Sequence, residues 1–260
     1  MHPTSENEQD MRDRWERRAI EKGGSCSSVL FQGLAEPVNA HIHTQHCAVL
    51  ETNFLNYMPR GALVLDLGCG YGRLAQQVRA RRPDINLVGM DFSLNYCLLF
   101  RRVVNGQVIC GDIHNLPFAP SIFDGVIAVT ALMYAKPGHQ QRVMNNVTNL
   151  LKQEGLAFVL DPGAEYSRLI ACLHPASRQK TTGGESFSKD EYRNLAYNAD
   201  VSIVKEGGFP LLSLSLPGLY FLGRGARYLR LVLNFLATVD SGLSTWSRYS
   251  CHRWMLLKRH

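Results

Sequence analysis

Val64-Leu65-Asp66-Leu67-Gly68-Cys69-Gly70-Tyr71-Gly72-Arg73-Leu74 is the stretch on which the reading of this 260-residue chain turns. An apolar strand carrying an acid, a turn with three alternating glycines and the start of a helix follow one another without a break. Glycine lets backbone approach a ligand closely, and a helix N-terminus offers unpaired N–H groups. Together they predict a nucleoside-type ligand at the carboxyl end of a strand. The loop alone does not say which ligand, because G-x-G-x-x-G turns serve NAD and FAD, and glycine turns also join strand to helix with nothing bound. Outward from it, Leu87-Val88-Gly89-Met90-Asp91 is a second apolar strand ending in an acid, about twenty residues past the glycines, where an acid bonds ribose hydroxyls. Val108-Ile109-Cys110-Gly111-Asp112, followed by Leu116-Pro117-Phe118, is a third. Phe123-Asp124-Gly125-Val126-Ile127-Ala128-Val129 reads as a fourth.

The G-x-G-x-G spacing after Asp66, with the two later acids in the same order, resembles motif I and the following strands of the class I S-adenosylmethionine (SAM) methyltransferases. An NAD fold is not expected to carry the third acid and the Leu-Pro-Phe turn. The resemblance runs closely from about Gly61 to Pro162 and loosely outside it. It implies SAM as cofactor, with Asp66, Gly68, Gly70 and Gly72 at the methionine end, Asp91 on the ribose and Asp112 on the adenine amino group. Phe92 and Ile113 would flank the adenine ring, and Thr130 would line the pocket after the fourth strand. The implied fold is α/β: a Rossmann-like, doubly wound, seven-stranded sheet with an antiparallel last strand, an N-terminal helical cap and a C-terminal helical insertion.

The rest of the chain is apportioned accordingly. A tail and helical cap occupy 1–58, the SAM-binding core 59–162, and substrate-side elements completing the sheet 163–260. Residues 1–10 are polar without periodicity and are expected to be disordered. Helices are expected over Arg12–Lys22, stopped by Gly23-Gly24, and over Val38–Tyr57, stopped by Pro59 and Gly61. Strands are expected at Leu63–Leu67, Asn86–Met90, Gln107–Cys110, Gly125–Val129 and Leu156–Leu160, whose near-continuous apolar character suits burial on both faces. A helix from His139, with Val143, Val147, Leu150 and Leu151 on one stripe, is expected to stop at Gly155. A further helix spans Glu165–His174, and the capping box Ser188-Lys189-Asp190-Glu191 starts another. Leu211–Leu216 is expected as the sixth strand and Tyr249–Leu257 as the last, with a long insertion, Pro217–Trp246, between them.

The formal net charge is +6, and the segment from Pro217 to His260 carries seven basic residues against one acid, Asp240. The remainder of the chain is therefore neutral. Such a segment can face membrane phosphates, an anionic substrate or nucleic acid, or simply confer solubility. Seven cysteines, odd in number and without a C-x-x-C pair, suggest neither a disulfide framework nor a zinc knuckle. A charged N-terminus without an apolar core is unlike a secretory signal, and the cytoplasm is the expected compartment.

Methyl transfer needs alignment of acceptor and methyl, exclusion of water, and a base only where the acceptor loses a proton. Tyr134, after the fourth strand, and His139 are the candidates near the acceptor. His114 beside Asp112 suits a role in the cofactor pocket better than that of a base. In His41-Ile42-His43-Thr44-Gln45-His46-Cys47, helical spacing places His43 on one face with His46 and Cys47. Metal binding, lining of a lid and plain packing all stay open for it, and no resident metal is expected. On a helical wheel Arg224, Arg227 and Arg230 lie opposite Leu222, Tyr228, Leu229, Val232, Leu233, Phe235, Leu236 and Val239. The segment 219–239 is thus a basic amphipathic helix that either packs on its own protein, forms a homodimer contact or lies on a membrane surface. The expected acceptor is a small or medium metabolite, such as a natural product, sugar or lipid precursor, methylated on oxygen ahead of nitrogen. Thr130-Ala131-Leu132-Met133-Tyr134 lacks the Asn/Asp-Pro-Pro-Tyr signature of base-amine methylation, which ranks nucleic acid below a small molecule. A fold that binds SAM for another purpose, as a regulatory subunit or a repurposed cyclase, is the alternative.

Overall fold

The apolar runs pair into one seven-stranded sheet in the order β3-β2-β1-β4-β5-β7-β6. The computed structural model describes residues 4–31, 34–173, 184–209, 215, 229–243 and 248–260. The strands are β1 (Leu63–Leu67), β2 (Asn86–Asp91), β3 (Gln107–Cys110), β4 (Phe123–Val129), β5 (Leu151–Pro162), β6 (Val201–Gly208) and β7 (His252–Arg259). β1 pairs in parallel with both β2 and β4, so the strand order reverses there and opens a crevice at the carboxyl edge. β7 runs antiparallel between β5 and β6, as the resemblance implied.

Strand alternation divides the core into two layers. Along β1, Val64 packs with Leu50, Val78, Phe100 and Leu233 on one face, whereas Leu65 and Leu67 pack with Val143, Val147 and Tyr192 on the other. The first face is covered by α2 (Glu36–Asn53), α3 (Arg73–Arg81), α4 (Leu94–Val104) and α8 (Leu229–Leu243). The second is covered by α5 (Gln140–Asn149) and α7 (Lys189–Tyr197). α7 begins in the capping box expected of it, Ser188 Oγ accepting from Glu191 N–H and the Glu191 carboxylate from Ser188 N–H. α6 (Ala164–Leu173) follows β5, and α1 (Thr4–Lys22) lies across the carboxyl edge.

Four expectations are corrected. The polar N-terminus is helical from Thr4, because Glu, Gln and Arg are good helix formers and Trp15 and Ala19 anchor the helix on Tyr71 and Tyr96. α2 ends at Asn53, and Leu55–Tyr57 is a separate 3₁₀ turn. α5 stops at Asn149, ahead of Gly155, which instead lies within β5. There the pairing slips from Phe123 with Leu151 to Gly125 with Leu156, and the intervening bulge puts Glu154 at φ 65°. The sixth strand is Val201–Gly208, not Leu211–Leu216, of which 211–214 and 216 fall outside the described residues. An edge strand bonded on one side only tolerates Lys205 and Glu206, and Glu206 is held by Arg193 and Lys189 of α7. Gly207 admits the Trp254 ring, which would lie 2.6 Å from a Cβ at that position.

Candidate cofactor and acceptor site

The glycine turn is a network of backbone bonds around one carboxylate. Gly68, at φ 71°, donates its N–H to Met90 O at 2.8 Å, and a Cβ there would lie 2.9 Å from the Ala131 Cβ. Gly70, at φ 54°, donates its N–H to Asp91 Oδ2 at 2.9 Å, while Ser93 N–H reaches Asp91 Oδ1 at 2.9 Å. Burial pushes the Asp91 carboxyl up to about 6, against the pull of these two amides. Each oxygen keeps a lone pair for a hydroxyl, which suits a ribose diol.

A cavity of about 1340 Å³ opens over this turn at the crevice between β1 and β4. Gly68, Gly70, Asp91, Phe92, Asp112, Ile113, Thr130, Tyr134 and His139 all line it, from five separate segments of chain. Asp112 is oriented by its neighbour: His114 Nδ1–H donates to Asp112 Oδ1 at 2.7 Å, and His114 Nε2 accepts the Lys136 N–H at 3.0 Å. Both ring nitrogens of His114 are therefore engaged, which fits a cofactor-pocket role. The hydrogen bonds from His114 hold the Asp112 carboxyl down at about 2, so it is a carboxylate throughout the useful pH range.

α1 forms the outer wall. Its Glu16 carboxylate accepts from Leu94 N–H at 2.7 Å and Asn95 N–H at 3.2 Å, capping α4 from outside. Arg12 donates to Phe92 O at 3.2 Å and lies over the Phe92 ring. Trp15 stands edge-on to Tyr134, ring centroids 5.6 Å apart, and to Tyr96 at 6.0 Å. The helix is thus fastened to the loop that follows Asp91.

Another wall of the cavity hangs on the end of β4. Thr130 adopts φ 55°, unfavourable for a β-branched residue, and is held there by its N–H to Leu160 O and its hydroxyl to Val129 O at 2.7 Å. The turn Leu132–Tyr134 that follows is clamped by Asp161 of β5, whose Oδ1 accepts Met133 N–H at 3.1 Å and whose Oδ2 accepts the Tyr192 hydroxyl at 2.9 Å. On its other side Glu185 N–H bonds Met133 O at 2.7 Å. Sequence reading missed Asp161, Glu16 and Arg12, since a strand-end acid and two helix-surface charges carry no local signature.

Asp66 and Gly72 do not line the cavity. Gly72, at φ 89°, is where α3 meets α4, and a Cβ would fall 2.3 Å from Val104 Cγ2. Asp66 lies beneath the turn with Oδ2 unbonded among the described residues, and burial pushes its carboxyl up to about 7 despite nearby Arg73. The histidine run also stays away from the cavity. Arg73 donates to His43 Nδ1 and His46 Nδ1, both at 3.2 Å, and His46 Nε2–H donates to His252 Nδ1 at 3.3 Å. His43 and Cys47 are 3.5 Å apart at closest, while His41 is turned elsewhere with Nε2 unbonded. Burial holds His43 down at about 4 and His252 at about 3, so these histidines are neutral partners around a buried guanidinium. Among the described residues no three His, Cys, Asp or Glu side chains are grouped to hold a metal ion. His174, Arg224 and Arg227 fall outside the described residues.

Buried acids and buried histidines act in opposite pH windows. Asp66 and Asp161 titrate near 4 in an unfolded chain but at about 7 and about 8 in the fold, burial being the main cause in both. The stability they contribute by staying neutral is complete below pH 4 and lost as pH rises through 8. The histidines, lowered in the fold, cost stability only below their unfolded value of about 6.5. Between pH 6.5 and 8.5 the carboxyls act alone, and urea titrations should show stability falling by about 2 kcal/mol. Asp161→Asn should flatten most of that slope; a slope of opposite sign would remove the assignment.

Known proteins bear on the site as follows. Residues 64–155 match the family model described as a methyltransferase domain. Demethylmenaquinone methyltransferase of Thermotoga maritima is 30% identical over 99 residues, 38% of this chain and 42% of that protein. The tRNA (carboxymethyluridine(34)-5-O)-methyltransferase alkbh8 of Xenopus tropicalis is 27% identical over 108 residues, 41% of this chain and 16% of that protein. The chain therefore matches less than half the length of either relative. Among solved structures, the SAM-bound magnesium protoporphyrin IX methyltransferase of Synechocystis superposes over the whole of both chains with a TM-score of 0.60 at 13% identity. With the motif order, the switch-point cavity and the antiparallel β7 all in agreement, the chain carries over residues 64–155 a methyltransferase domain of the class I SAM-dependent fold.

Proposed function

We propose that the protein transfers a methyl group from SAM to an oxygen, or failing that a nitrogen, of a small or medium metabolite. The observation that carries this reading is the shape of the cavity. Its volume of about 1340 Å³ exceeds the roughly 300–1,000 Å³ of a single-ligand pocket, leaving room for cofactor and acceptor side by side. α1 supplies part of its wall through Met11, Arg12 and Trp15, and the mouth that stays open beside it suits entry of a small or medium acceptor. The relatives include a demethylmenaquinone methyltransferase and a tRNA methyltransferase, so the room in the cavity beside the glycine turn, not the kinship, is what supports the small-molecule reading.

The donor set fits SAM: a diol-binding carboxylate at Asp91, an oriented carboxylate at Asp112 for an amino group, and side-chain-free backbone at Gly68 and Gly70. When bound, SAM supplies an electrophilic methyl on a sulfonium. Asp91, Asp112, Phe92 and Ile113 would fix the nucleoside. Trp15 and α1 exclude water, which strengthens electrostatics within the site. Tyr134, rigidly placed by the Asp161 clamp, would orient the acceptor atom, and His139 at the start of α5 is near enough to the cavity to take a proton from it.

Incubation with methyl-tritiated SAM and cell extract separates the acceptors. Label should appear in the low-molecular-weight fraction, and Tyr134→Phe should lower kcat by roughly 10- to 100-fold with SAM affinity unchanged. Label confined to ribonuclease-sensitive material would replace the small-molecule reading with an RNA one, and the absence of transfer despite SAM binding would point to a non-transferase role.

A further inference from the structure

The loop that follows β4 carries much of the cavity wall, through Thr130, Ala131, Tyr134, Lys136 and His139. Asp161 of β5 and Glu185, ahead of α7, pin it at Met133. A further anchor crosses from the cofactor side. Lys136 donates its N–H to His114 Nε2 at 3.0 Å, and His114 belongs to the loop after β3. Asn146 of α5 reinforces the crossing, its Nδ2–H donating to His114 O at 3.4 Å.

The other nitrogen of the same ring faces the cofactor half. Asp112 Oδ1 accepts both the His114 backbone N–H, at 2.9 Å, and the Nδ1–H, at 2.7 Å, which leaves Oδ2 for a ligand. The side chain of Lys136 adds its positive charge to the attraction on Asp112. Of the bonded pair the carboxylate is the open member, 43% exposed against 12% for the imidazole. An imidazole that donates at one nitrogen and accepts at the other is a rigid plane, so a ring that turns with Asp112 carries the partner of Lys136 with it.

We propose that His114 is a positioning residue that couples the two halves of the site. A ligand amino group on Asp112 Oδ2 fixes the carboxylate, the carboxylate fixes the imidazole, and the imidazole fixes the loop bearing Tyr134 and His139. The methyl acceptor then meets a settled wall only when the cofactor is in place, and by reciprocity a bound methyl acceptor tightens the hold on the cofactor. The inference rests on the reading of Asp112 as the partner of adenine and deepens it.

Hydrogen exchange followed amide by amide by NMR, with the full chain free and saturated with S-adenosylhomocysteine, tests it. In the parent, exchange at the Lys136 amide should slow by about 5-fold or more on binding. The Met133 amide, bonded to Asp161 instead, controls for general stiffening and should slow less. Two variants of similar shape separate the ends of the bridge. His114→Asn keeps a donor where Nδ1 stood and offers nothing to Lys136, whose amide should exchange fast in both states. His114→Gln keeps an acceptor where Nε2 stood and loses the tie to Asp112, so the Lys136 amide should stay protected yet no longer respond to the ligand. A Lys136 amide that still slows on binding in either variant overturns the coupling, as does one that fails to slow in the parent while S-adenosylhomocysteine is bound. Loss of protection at Met133 together with Lys136 in the variants also overturns it, since His114 would then be a packing residue. A parent that binds no S-adenosylhomocysteine fails differently, withdrawing the cofactor assignment on which the coupling stands.

Discussion

Replacing Gly72 by alanine is expected to lower stability by about 2–5 kcal/mol. At φ 89° an L side chain carries a left-handed penalty of about 1–2 kcal/mol. The new methyl would also stand 2.3 Å from Val104 Cγ2 and 2.9 Å from Phe100 Cδ2, two buried side chains of α4 in a packed core. Relieving that overlap means prising α3 from α4, an overpacking cost of about 1–3 kcal/mol. Against a total of about 5–15 kcal/mol the loss is large, and the urea midpoint should fall by about 1 M or more. Because Gly72 is outside the cavity lining, the fraction that folds should bind SAM normally. A variant of undiminished stability would show that α3 can shift, and a folded variant blind to SAM would return Gly72 to the ligand.

Asp91→Ala should weaken SAM binding by about 3 kcal/mol, roughly 150-fold. Two contributions add. Hydrogen bonds from ribose hydroxyls to a charged acceptor are lost, and the Gly70 and Ser93 amides lose the carboxylate that now orders the turn. Asp112→Asn should cost less, since the Asp112 side chain is 43% exposed and water competes for it. Binding to the parent should also weaken as pH falls through about 6, where Asp91 becomes protonated, and calorimetry across that range should find the dependence gone in Asp91→Asn. Unchanged affinity in a folded Asp91→Ala would withdraw the ribose assignment.

What was legible beforehand follows from range. Strands β1 to β5 announce themselves in short apolar runs, and the turn and the two later acids sit at the strand ends that those runs define, so the residues that line the cavity there could be picked out from local pattern. The capping box at Ser188 was equally local. β6 was misplaced because an edge strand, bonded only to β7, carries Lys205 and Glu206 where an interior strand would be apolar, and the more apolar Leu211–Leu216 outbid it. α1 extended further than its polarity suggested because it is stabilised by docking, through Trp15, Glu16 and Arg12, on residues about 80 positions away. Asp161 acts on Met133 across 28 residues, and His46 meets His252 across 206. Contacts of that separation leave no periodicity to read.

The position of β7 has a consequence for biogenesis. Of the seven strands β7 is synthesised after the other six, yet it is interior, hydrogen-bonded on one side to β5 and on the other to β6, and it supplies His252 to the buried network around Arg73. Until it emerges, the nascent chain holds β6 apart from the rest of the sheet, with the apolar flank of β5 open and a guanidinium network one member short. Nascent chains arrested ahead of His252 would therefore expose an unpaired sheet edge, the feature that chaperones recognise and that aggregation exploits.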